Sequence, residues 1–256
     1  MEREKNSLIM SKIFRKIRQS FLLENKTFKY LKYAIGEIIL VVIGILIALA
    51  INNYSERKKE RKKEQAYLKE INLDFKSNKT QLDSIVNYNK VSLHAGNRLL
   101  KIYKLFDLKN PIRNKTNTHV ADSIRIYNVL VWRNKTFNPK NGTVEALLNS
   151  SSFDLIKNDT LRRYLISWKD VLGDYLEEEM FAVNFLRNEY DPWVRKSFEP
   201  DLDDPNNVKV LFSKIYRNFI YQRKGDLKNS INTVKEEGLM TMIDNIIRLT
   251  EPNYND

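Results

Sequence analysis

The chain has 256 residues, 42% hydrophobic and 30% charged, enough apolar material for one folded domain with accessory segments and too much for wholesale disorder. It contains no cysteine, which excludes disulfides, thiolate metal sites, iron–sulfur clusters and cysteine nucleophiles together. The net charge of +12 invites a nucleic-acid reading, but residues 1–63 hold 15 Lys and Arg against 6 Asp and Glu, and the other 193 hold 29 against 26. The basic excess therefore flanks one apolar stretch, where lipid headgroups would meet it, and nucleic acid is not an expected partner.

A basic segment over residues 1–32 leads into that stretch. Every residue from Ile38 to Ile51 is apolar, and extension back to Tyr33 gives 19 residues. At ~1.5 Å per residue this approaches the ~30 Å thickness of bilayer hydrocarbon. Tyr30, Tyr33 and Tyr54 stand where interfacial aromatics belong. The pattern predicts an uncleaved single-pass membrane helix over 33–53. A cleavable signal is the alternative, since Ala48-Leu49-Ala50 has the small-x-small form. Its basic lead and apolar run are both longer than a usual signal has.

Arg15, Lys16, Arg18, Lys29 and Lys32 on one side, and Arg57, Lys58 and Lys59 on the other, are the expected headgroup contacts. The positive-inside count is nearly tied. Short cationic tails resist translocation, whereas long domains cross largely regardless of charge, so a cytoplasmic N-terminus is expected. Glu37, Gly44 and Ala48 share a helical face. Two readings of them stay open. Small residues at Gly44 and Ala48 would admit a second copy or another membrane helix, with Glu37 bonding across the interface. Alternatively, Glu37 reaches headgroup water or Lys32.

Between Ser55 and Leu108 the only glycine is Gly96 and there is no proline. A heptad seam runs Leu68, Ile71, Phe75, Asn78, Leu82, Ile85, Asn89, Ser92, Gly96, Leu99, Tyr103 and Phe106, predicting a long amphipathic helix over 54–108. Asn78, Asn89, Ser92 and Gly96 interrupt the seam, which favours a bundle helix over a continuous coiled coil. Lys109 to His119 reads as a loop, and Asp122 as the cap of a helix through Asn134. Phe137 to Thr143 is a turn cluster, followed by a short helix with Val144, Leu147 and Leu148. Asn158 or Asp159 opens a helix with the stripe Leu161, Leu165, Trp168, Leu172, Tyr175, Val183, Leu186 and Tyr190, ending before Pro192. Asp204 and Pro205 open another, with Val208, Leu211, Ile215 and Phe219, which Gly225 closes. The last helix is expected from Asp226 to Leu249. No strand pattern competes, so the prediction is all-α: a membrane helix, a long helix over 54–108, and a bundle over 109–256 packing with 64–108.

The block Phe14-Arg15-Lys16-Ile17-Arg18-Gln19, then Lys29 through Leu49, then Ile51-Asn52-Asn53 resembles an uncharacterised bacterial family of single-pass membrane proteins. A second stretch, Phe137-Asn138-Pro139 with Glu145, Leu155-Ile156, Asn158 and Leu161-Arg162, is similar to the same family. It departs at Ser152, where the family has glycine. The resemblance implies a bacterial cytoplasmic-membrane anchor and brings no catalytic residues.

No phosphate loop, nucleophile elbow or zinc-protease motif is present in the sequence. His94 and His119 lack a nearby ligand set, and Glu177-Glu178-Glu179 reads as a solvated helix face. The acidic run Glu199, Asp201, Asp203 and Asp204 lacks the glycine and terminal glutamate of a calcium loop. No catalytic, cofactor or metal site is expected. Architecture alone points to a non-enzymatic membrane-anchored adaptor or sensor. The alternative is a subunit of a transport or ion-driven complex in which Glu37 is protonated and deprotonated.

Overall fold

The structure, a computed structural model, describes residues 25–105, 118–201, 204–236 and 238–252, without side-chain detail at 25–28 and 118–121. The described residues are mostly helical with no strand, and the fold is all-α. In chain order the helices are α1 (Asn25–Leu105), α2 (Thr118–Val131), α3 (Gly142–Leu148), α4 (Asp159–Phe185), α5 (Asp191–Ser197), α6 (Pro205–Leu211), α7 (Lys214–Glu236) and α8 (Leu239–Leu249). A 3₁₀ turn, Ser151–Leu155, precedes α4, and a π turn, Leu186–Tyr190, links α4 to α5. Contacts divide the chain into two compact units, Met1–Lys62 and Lys63–Asp256.

In the first unit α1 carries the apolar stretch, and an 18-residue window there has mean hydropathy 2.9 with none of it buried. Among the described residues one helix is thus long and apolar enough to cross a membrane, by length and composition.

The second unit is a bundle built on the seam of α1. Leu68 is half-buried, and every seam position from Ile71 through Tyr103 is buried; Phe106 lies outside the described residues. The seam feeds two apolar clusters. Ile71, Phe75, Leu82 and Ile85 pack with Val144, Leu147, Leu161, Leu165, Trp168, Tyr175, Val234, Ile243 and Ile246. Ala95, Leu99, Leu100 and Tyr103 pack with Ile124, Val131, Phe212, Tyr216 and Ile220. Aromatic edges lock both: Phe75 meets Trp168 at 4.8 Å between ring centroids, and Tyr103 meets Phe212 at 5.1 Å. At Gly96 a Cβ would stand 3.0 Å from the Lys224 stem and 3.3 Å from Val131, so this position lets α7 and the end of α2 come close to α1.

Several boundaries differ from those expected, each for a physical reason. α2 begins at Thr118, which puts His119 in a helix, and it ends at Val131, whose carbonyl accepts a side-chain N–H from Arg223 of α7. The helical run that α4 opens does not stop before Pro192, although α4 itself ends at Phe185. Proline lacks the N–H and crowds the carbonyl four residues back; the π turn widens the coil there, with the Asp191 N–H reaching the Leu186 carbonyl, and the chain passes on into α5. The expected helix from Asp204 breaks at Phe212–Ser213, where the Ser213 hydroxyl accepts the Tyr216 N–H at 3.1 Å. Its stripe shifts accordingly: Tyr216 and Ile220 are buried and Ile215 is exposed. Gly225 closes nothing; it lies inside α7, which runs on through Asp226. The break falls at Gly238, whose φ of +73° is the left-handed conformation glycine accepts. Other ends fall as expected: Asn158 caps α4 through the Leu161 N–H at 2.9 Å, and Asp204 caps α6 ahead of Pro205.

Candidate functional site: a polar waist, its strap and a groove

The two apolar clusters do not merge. Between them the seam of α1 offers Asn89 and Ser92, α4 offers Glu179, and α7 offers Arg223 and Ser230, all buried. Buried polar groups are costly unless bonded, and here the partners can be named. Asn89 donates to Ser230 Oγ at 3.1 Å. Both Glu179 carboxylate oxygens accept the Phe137 N–H, at 2.9 and 3.1 Å, and Oε1 also accepts the Tyr175 hydroxyl. Arg223 donates through Nε to the Val131 carbonyl at 3.3 Å and through Nη2 to the Arg133 carbonyl at 2.6 Å. It therefore serves the C-terminus of α2 from another helix, where freed carbonyls and the helix dipole both favour a cation.

Residues 133–141 form a non-helical strap with no ladder of its own, and side chains supply what a ladder would. Glu179 and Arg223 hold its start. The Asn138 N–H donates to Gln81 Oε1 at 2.8 Å. Asn78 exchanges two bonds with Lys140, accepting its N–H at 2.7 Å and donating to its carbonyl at 3.0 Å. Trp168 Nε1 donates to Asn141 Oδ1 at 2.8 Å. The polar interruption at Asn78 in the seam is thus one of the strap's clamps.

Burial governs the charges of the waist. It pushes the Glu179 carboxyl above the ordinary glutamate value, against the opposing pull of the Phe137 N–H and the Tyr175 hydroxyl. It raises Asp226, against Gln222 and Arg223, and lowers Arg223 to about 10, against Asp226. Asp226 Oδ2 is buried without a hydrogen-bond partner. It lines a cavity of about 10 Å³ with Asn89, Asn134, Lys135, Glu179, Arg223 and Ser230, room for about one water. On the strap's other side Lys135 and Thr136 line a groove of about 630 Å³ with Ser77, Thr80, Gln81, Ser84 and Ile85. Lys135 borders both spaces.

A sequence profile for DUF6090, a family of unknown function, matches residues 37–168, more than half of the chain. The chain belongs to that family. The DUF6090 match begins at Glu37 and takes in the apolar stretch, the strap and every residue lining the groove, whereas Glu179, Arg223 and Asp226 lie beyond it. No curated protein and no solved structure matches the chain.

The residues singled out by sequence lie mostly in the first unit. Glu37, Gly44 and Ala48 are exposed on α1, and a Cβ at Gly44 would meet nothing within 4 Å. Lys29, Lys32, Arg57, Lys58 and Lys59 are exposed on the same helix, with Arg57 Nε donating to the Asn53 carbonyl at 3.3 Å. Arg15, Lys16 and Arg18 lie outside the described residues. His94 is exposed, and no group of three metal-ligating side chains is present among the described residues. The reading of Glu177 to Glu179 as a solvated face is corrected: Glu179 is 9% exposed and clamps the strap. The stripe of α4 carried that signal, since Glu179 sits four residues after Tyr175 where the spacing calls for an apolar side chain. Arg223 likewise sits in the buried stripe of α7, between Ile220 and Leu227.

Proposed function

We propose that the chain is a membrane-anchored adaptor or sensor of a bacterial cytoplasmic membrane, with its N-terminus in the cytoplasm and its helical bundle on the far side. The observation that carries this reading is the unburied 18-residue window of mean hydropathy 2.9 in α1, flanked by cations that suit anionic headgroups. The bundle supports the adaptor or sensor part of the reading. It builds its cores from residues 67 onward, and it carries an open groove lined by several hydroxyl and amide side chains beside a side-chain-held strap, a surface suited to recognition.

Alkaline extraction of membranes bearing the full-length chain tests the anchor. Retention in the pellet, with loss to the supernatant when Val42 and Ile45 are both replaced by Arg, is the expected result. A freely extracted wild-type chain overturns the anchor. Compartment-specific reporters fused after Asp256 test the orientation, and activity of the cytoplasmic reporter reverses it. Capture of a defined partner by the detergent-solubilised full-length chain supports the adaptor role, and recovery of the chain alone as a monomer counts against it.

A further inference from the structure

The groove beside the strap is donor-rich and of one sign. Ser77, Gln81 and Ser84 follow one another at helical spacing along α1, with Thr80 beside them, and Ile85 forms an apolar base that is 2% exposed. Across from them the strap supplies Thr136 and Lys135. No carboxylate is in the lining.

The hydrogen bonds already formed sort the remaining valences. Thr80 spends its proton on the Lys76 carbonyl at 3.0 Å. Gln81 spends its carbonyl oxygen on the strap, which leaves its amide N–H groups as donors. Ser84 Oγ accepts Lys135 Nζ at 3.5 Å, so its own proton remains to be given. The hydroxyls of Ser77 and Thr136 complete the set.

Lys135 has no carboxylate partner among the described residues, whereas Lys76 and Lys79 pair with Glu251 and Asp244. Its ammonium stands 4.9 Å over the Tyr88 ring, a contact that steadies a cation without neutralising it. A concave space of about 630 Å³, within the range of small-molecule sites, therefore offers one cation that forms no ion pair among the described residues, although Glu179 and Asp226 line the small cavity on its other side, and several hydroxyl and amide donors.

We propose that this groove binds a small anion bearing phosphate or carboxylate oxygens, with Lys135 as its charge partner and Ser77, Gln81, Ser84 and Thr136 as hydrogen-bond donors. The inference rests on the sensor reading and names that sensor's ligand class. Phosphate oxygens can come from a soluble phosphorylated compound or from an anionic phospholipid headgroup, and the chemistry at Lys135 is the same for both.

The test uses the full-length chain in phosphatidylcholine nanodiscs, titrated calorimetrically with glucose 6-phosphate, citrate and, as the uncharged control, glucose. At least one charged probe should bind and glucose should not. Lys135→Gln should weaken binding about tenfold or more, the effect of losing one charge-assisted bond. Lys135→Arg should retain most of it, and Ser84→Ala should lose several-fold. Both side chains are exposed, so neither change threatens the fold.

Repeating the titration in discs containing phosphatidylglycerol separates the sources. Competition with the soluble probe in wild type assigns the groove to a headgroup, and equal affinity in both discs assigns it to a soluble anion. The proposal is overturned if no charged probe binds at millimolar concentration, if glucose binds as tightly as glucose 6-phosphate, or if Lys135→Gln binds like wild type. Membrane retention of the same preparation is read separately, so loss of binding and loss of the anchor are distinct outcomes.

Discussion

Replacing Glu179 tests whether a buried carboxylate holds the strap. In Glu179→Ala the Phe137 N–H and the Tyr175 hydroxyl both lose their acceptor inside the bundle. Each orphaned buried donor costs about 1–3 kcal/mol, partly offset by no longer burying a charge, so a net loss of about 2–4 kcal/mol is expected. Glu179→Gln keeps an acceptor oxygen of the same reach and should lose about 1 kcal/mol.

The pH dependence separates charge from shape. The folded pKa of Glu179 is raised above its unfolded value near 4.5, so the folded state holds its proton more tightly. The associated stability is complete below the unfolded value and is lost as pH rises through the folded one. The slope is at most about 1.4 kcal/mol per pH unit for one proton. Asp226 is raised as well and contributes with the same sign, so the difference between wild type and Glu179→Gln isolates Glu179.

All three tryptophans (Trp132, Trp168 and Trp193) lie in the second unit. Urea unfolding of the full-length chain in nanodiscs, followed by tryptophan fluorescence from pH 4 upward, therefore reports on the bundle. A Glu179→Gln variant that tracks wild type across the pH range, or a Glu179→Ala variant of undiminished stability, would refute the reasoning.

Arg223→Met should cost about 3–5 kcal/mol by the same fluorescence assay, because it strands the Val131 and Arg133 carbonyls beside the half-buried Asp226; a loss under 1 kcal/mol would mean that water serves them equally well. Gly225→Ala and Gly238→Ala should move stability in opposite directions: the first gains up to about 1 kcal/mol in an open helix interior, and the second loses about 1 kcal/mol or more at its positive φ. In a membrane two-hybrid assay on residues 28–56, Gly44→Ile should weaken pairing while Leu46→Ile, roughly on the opposite face, should not; equal signals for wild type and Gly44→Ile would leave the segment as an anchor alone. Glu37→Leu in the same assay weakens pairing if the carboxyl bonds across the interface, and leaves it intact if the side chain reaches headgroup water.

The seam of α1 was legible because helical periodicity depends only on near neighbours, and burial from Ile71 to Tyr103 follows it position by position. What periodicity does not disclose is why a polar residue occupies a core position. Asn78 and Asn89 answer to Lys140 and Ser230, 62 and 141 residues away. Glycine was misread for a related reason. Gly225 and Gly238 both follow charged residues, and only the backbone conformation, set by how α7 and α8 pack, shows which of them turns the chain. The groove had no local signature at all, because its two walls come from residues 77–85 and 135–136 and only the folded strap sets them face to face.

Four of the clamps on that strap grip main-chain atoms, Trp168 on the Asn141 side chain being the exception: Glu179 and Gln81 each take an N–H, Arg223 takes a carbonyl, and Asn78 takes one of each. A peptide group is the same whatever side chain it carries. The identity of Lys135 or Thr136 can therefore change without loosening what holds the segment in place, so the recognition chemistry of the groove and the stability of its wall can vary independently. With an anion bound there as proposed, single substitutions at 135 and 136 would exchange one ligand for another on a scaffold that need not readjust.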